Sequence, residues 1–62
     1  MAPTYRAQAV RWEHGWELHV EGVGVTQVVH LDEAPAQIRD YVASMHDVDP
    51  TEVSVVIWRA PD

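Results

Sequence analysis

Cysteine, lysine and phenylalanine are missing from this 62-residue chain, and glycine occurs only three times. Without cysteine there can be no thiolate zinc site, iron–sulfur cluster or disulfide scaffold. Without lysine the only fixed cations are four arginines, set against ten acidic residues, and the formal net charge is −6. The pI is near 4.9. That balance argues against direct binding to nucleic-acid phosphates, which takes clustered Lys and Arg. It suits a protein that covers a basic partner. No run approaches the ~18–20 apolar residues of a membrane span, and the start, Met1-Ala2-Pro3-Thr4-Tyr5-Arg6, lacks the form of a signal peptide. A cytoplasmic location is expected.

What is present is apolar: 47% of the residues are hydrophobic, three of them Trp. The length holds one domain, residues 1–62. Folding should hide roughly 60% of the unfolded chain's surface, and burial at ~25 cal/mol/Å² then gives ~90 kcal/mol. Ordering the chain at about 1.5 kcal/mol per residue costs about the same. A small domain so balanced leans on a partner, and a homodimer or higher homo-oligomer is the simplest support.

Alternation of apolar and polar residues predicts strands. Tyr5 to Trp12 places Tyr5, Ala7 and Ala9 on one face and Arg6, Gln8, Val10 and Trp12 on the other. Glu13-His14-Gly15 then makes a tight hairpin, with the glycine at positive φ. Trp16 to Glu21 puts Trp16, Leu18 and Val20 opposite Glu17, His19 and Glu21. Gly22-Val23-Gly24 is a second turn, and Val25 to Leu31 a third strand, with Val25, Gln27, Val29 and Leu31 sharing one face.

The period then becomes helical. Asp32 is the expected N-cap, Glu33 adds negative charge to the first turn, and Pro35 fits there because early N–H groups lack intrahelical partners. Ala34, Ile38, Val42 and Met45, with Tyr41 beside them, form the inner stripe, and Gln37, Asp40 and Ser44 the outer one. The helix should end near His46, before Asp47-Val48-Asp49-Pro50. A fourth strand, Val53 to Arg59, is β-branched and apolar in the manner of a central parallel strand.

One helix covers one face of a four-stranded sheet. The face left open is predicted to hold Val10, Trp12, Val28, Val56 and Trp58, mixed with Arg6, Gln8, Glu17, His19, Glu21, Thr26 and His30. Two Trp and three Val are more than scattered surface apolars and mark a contact surface, for a partner or for self-association.

The chemistry of catalysis is thinly represented. His14-Gly15-Trp16-Glu17-Leu18-His19 comes within one residue of an inverted zinc-peptidase motif, but that motif works on a helix and Gly15 sits in a turn. His19 and His30 could face each other across adjacent strands beside Glu17 or Glu21, as weak metal candidates. Ser44 and Ser54 lie on no elbow-like turn, and Gly22-Val23-Gly24 lacks the helix and Lys of a phosphate loop. Neither catalysis nor a cofactor is expected.

A strand opens on Tyr5, a hairpin leads into Trp16-Glu17-Leu18-His19-Val20, and a glycine loop follows. Thr26-Gln27, Leu31-Asp32-Glu33-Ala34 at the helix start and the Asp47-Val48-Asp49-Pro50 corner come next in order. In these features, from Tyr5 to Ile57, the chain resembles the HicB-like antitoxins. The resemblance implies an α+β, partial RNase H-like fold, β-β-β-α-β, with strand order 3-2-1-4 and the last strand parallel to the first, which agrees with the right-handed crossover rule. It also implies a non-enzymatic module that binds and inhibits a basic, mRNA-cleaving HicA-like toxin. Tyr5, Ala7 and Ala9 stand in the first strand where a nuclease would need a catalytic Asp.

Full-length family members usually add a C-terminal segment that binds operator DNA. The sequence after the last predicted strand is too short for one, so a stand-alone short form is expected, without DNA binding. On this reading Val10, Trp12, Val28, Val56 and Trp58 supply apolar contact and Glu17 and Glu21 charge complementarity. The alternatives are a small-ligand or metal-binding regulatory domain using His19 and His30, and a plain homo-oligomerisation domain.

Overall fold

The computed structural model describes residues 3–61; Met1, Ala2 and Asp62, the outermost residues of the expected 1–62 domain, lie outside the described residues. The elements are β1 (Thr4–Trp12), β2 (Gly15–Val20), β3 (Gly24–Val28), α1 (Ala34–His46) and β4 (Ser54–Arg59). Short 3-10 turns at Leu31–Glu33 and Pro50–Glu52 lead into α1 and β4. The four strands form one mixed sheet in the order β3-β2-β1-β4, with β1 antiparallel to β2 and parallel to β4. This is the expected α+β arrangement.

The core lies between the sheet and α1. Ala7 and Ala9 of the central strand are fully buried, and their methyl groups let Ile38 and Val42 of the helix approach the sheet closely. Leu18, Val20, Ala34 and Val53 complete the buried set, with Tyr5, Trp16, Val28, Tyr41, Val55 and Ile57 packed around it. Among the described residues no helix is long and apolar enough to cross a membrane.

Two glycines are fixed by contact. Gly15, at φ +143°, closes the β1–β2 hairpin opposite Trp12, and a Cβ there would run into the Val28 carbonyl oxygen. Gly24, at φ +147°, opens β3 directly beneath the Tyr41 hydroxyl.

That second glycine corrects the third strand. Gly24 belongs to the ladder, paired with Val20, so the β2–β3 turn is Glu21-Gly22-Val23; the pairing sets Thr26 beside Leu18 and Val28 beside Trp16, so the β3 residues lie on the faces opposite to those expected. Val25 and Gln27, expected beneath the helix, lie on the open face, and Val25 is 53% exposed. Thr26 and Val28, expected on the open face, lie on the helix side. Gln37 Nε2 donates to Thr26 Oγ1 across 2.9 Å, and Val28 packs against the core. The strand ends at Val28, so Val29 is exposed rather than covered, and Leu31 has left the sheet for the 3-10 turn.

The helix ends at His46 as expected but differs at its start and in its stripes. Asp32 is not its N-cap: the chain enters through the 3-10 turn, where Glu33 N–H donates to His30 O and a Glu33 carboxylate oxygen accepts from His30 N–H. Pro35 occupies the first turn as expected. Met45 is 58% exposed and lies off the buried Ala34, Ile38 and Val42 stripe, whereas Gln37 is partly buried by its bond to Thr26. Asp47 stops the helix in the left-handed conformation at φ 55°.

A candidate protein-interaction face

The pleat and the register assemble the open face. One row across all four strands reads Trp58, Gln8, His19 and Val25. Below it Val56 lies beside Arg6, and Glu21 N–H donates to Arg6 O, which carries the row past the end of β2. Above it Val10, Glu17 and Gln27 form a third row, and Trp12 stands at the hairpin end. Of the seven residues assigned to the contact surface, Val10, Trp12, Val56, Trp58, Glu17 and Glu21 share this face. Val28 does not, and Val25 takes the place assigned to it.

The large apolar side chains here are uncovered by the rest of the chain. Trp12 is 37% exposed, Trp58 36% and Val56 50%. They occupy the β1–β4 half of the face, whereas Glu17, His19 and Glu21 occupy the β2 half. The Arg6 guanidinium lies 5.6 Å from the Trp58 ring centroid, near enough for a cation–π contact that holds the indole against the sheet. His14 stands edge-on to Trp12 with ring centroids 5.0 Å apart. A shallow depression of about 420 Å³ opens between Trp58, His19, Glu21 and Val25.

On the other side of the sheet, Trp16 lies between two guanidiniums, Arg59 at 4.9 Å and Arg11 at 5.9 Å from its ring centroid. Ala9, opposite Arg59 in β1 and bearing only a methyl, lies between their strands. This pairing of indoles with arginines was not read from the sequence, although the alternating pattern already put Trp16 and the odd-numbered β1 residues on one face. Among the described residues both close contacts between a carboxylate and a basic side chain involve histidine, His19 to Glu17 at 3.3 Å and His14 to Glu13 at 3.8 Å.

The metal candidates are not brought together. His19 is opposite Val25, near the β2–β3 turn, whereas His30 lies past the end of β3 in a depression lined by His14 and Trp16. Continuing the ladder would set His30 opposite His14, five residues or about 17 Å along the strand from His19. Among the described residues no three His, Cys, Asp or Glu side chains converge on a common point.

Away from this face, Asp49 caps the turn before β4. The Asp49 carboxylate is held below the usual carboxylate range, first by the backbone N–H of Thr51 at 3.0 Å and then by its hydroxyl at 2.8 Å. These bonds cap the 3-10 turn that leads into β4. No family model matches the chain, and no curated protein or solved structure gives a significant match.

Proposed function

We propose that this chain is a non-enzymatic protein-interaction module that binds and inhibits a basic protein, of the kind the HicB-like resemblance implies for a mRNA-cleaving HicA-like toxin. The observation that carries the reading is the open sheet face. Trp12, Trp58, Val10, Val56 and Val25 are displayed there by the pleat, on the side the single helix does not cover. Exposed Trp side chains are frequent anchors of protein interfaces. Glu17 and Glu21 border them, and a net charge of −6 steers a cationic partner toward the domain.

The metal-binding alternative loses its main support with the separation of His19 from His30. The test is co-expression with a HicA-like reading frame beside the gene, followed by sizing of the lysate complex. Restored growth together with a stable complex supports the reading. Undiminished toxicity with no complex rejects it.

A further inference from the structure

The composition of β4 does not match its place. Ser54–Arg59 carries Val55 and Ile57 toward the helix side and Val56 and Trp58 toward the open face, so it is apolar on both sides. Such strands belong to the middle of a sheet, covered on both faces. Here β4 is an edge, and none of its residues is fully buried. Edges in monomeric proteins are normally blunted by proline, lysine, a bulge or a covering segment. This one has neither proline nor lysine, and its single charge is Arg59 at the end. A depression of about 660 Å³ between α1 and the start of β4, lined by Arg39, Thr51, Ser54 and Val55, leaves that end of the edge open on the helix side.

We infer that β4 pairs antiparallel with β4 of a second copy, joining two sheets into one of eight strands. The backbone phase supports this. Ser54 N–H donates to Pro3 O and Ala60 N–H to Ala9 O, so the even-numbered residues turn their polar groups toward β1. Val55, Ile57 and Arg59 therefore point their N–H and C=O groups outward, free for another strand.

A two-fold axis at Ile57 sets it opposite its own copy as a hydrogen-bonded pair. Val56 then falls opposite Trp58 of the partner subunit at a non-hydrogen-bonded site, where side chains approach most closely. A β-branched residue against an aromatic is a favourable cross-strand pair, and the symmetry makes it twice. Two chains of −6 meet at a strand that bears no acid. Both open faces then lie on one side, so the pairing doubles the apolar surface instead of hiding it. A second copy fits this edge because the strand is complementary to itself.

The experiment is sedimentation equilibrium of the purified chain across a dilution series, alongside Ile57→Pro and Val56→Lys. Ile57→Pro removes an N–H that points away from β1, so the internal ladder keeps its bonds. The expected wild-type mass is twice the 7.0 kDa of the chain, with both variants folded by circular dichroism and monomeric. Should Ile57→Pro fail to fold, Val56→Lys, at an exposed position, decides alone. A wild-type monomer throughout overturns the inference, including the case in which the edge receives a strand from a different protein. A dimer that survives the substitutions also overturns it.

Discussion

The Gln37 amide donates to the Thr26 hydroxyl across 2.9 Å, tying the first turn of α1 to the edge strand β3. This one bond requires Thr26 to face the helix, and by the pleat it sends Val25 to the open side. Replacing Thr26 with Val removes the acceptor and should cost about 0.5–1.5 kcal/mol. For a domain of this size that is a fall in Tm of several degrees, read by thermal melts. Val25→Thr, on the exposed face, should stay within about 0.5 kcal/mol of wild type.

Most of the architecture was legible in the sequence, and β3 shows why the rest was not. Alternation in Tyr5–Ala9 and Trp16–Val20 has one apolar phase, so only one register buries it. Val25, Thr26, Gln27 and Val28 offer one valine to each phase, and the pattern cannot choose between them. What chooses is the pairing with β2, which sets Thr26 beside Leu18 and Val28 beside Trp16, together with the Gln37–Thr26 hydrogen bond, contacts between residues distant in the chain. The open face was therefore legible through β1, β2 and β4, and misread at Val28. Likewise Asp32 has the chemistry of an N-cap, but the 3-10 turn starting at Leu31 shifts the helix start beyond it.

Gly15 is predicted to be irreplaceable. An alanine there must adopt φ +143° and place its Cβ against the Val28 backbone carbonyl, which cannot move without breaking the β2–β3 ladder. The total stability of a chain this long is roughly 3–9 kcal/mol at ~0.05–0.15 kcal/mol per residue. Gly15→Ala should consume most of it, seen as loss of the cooperative melt.

The helix stripe gives a paired test. Ile38 is fully buried, and Ile38→Ala should cost about 2–5 kcal/mol through lost burial and the cavity left behind. Met45, counted from periodicity as part of the same stripe, is largely exposed, so Met45→Ala should change stability by no more than about 0.5 kcal/mol. Urea titrations of the two variants separate the outcomes.

Asp49 sets a pH dependence of known sign. Its folded pKa is depressed by the Thr51 N–H and hydroxyl, so its contribution is present above the ordinary carboxylate pKa near 3.9 and fades as pH falls through the lower folded value. Asp49→Asn should therefore lower Tm at neutral pH, and the gap to wild type should narrow steadily below pH ~4. A gap independent of pH would contradict the assignment.

The most direct measurement is a calorimetric titration of the purified basic partner into the wild-type chain and into folded Trp12→Ala and Trp58→Ala variants. If the open face is the binding surface, at least one substitution should weaken binding by about 30-fold, the loss of ~2 kcal/mol that marks an interface anchor. Wild-type affinity in both variants, with their fold intact, would contradict it.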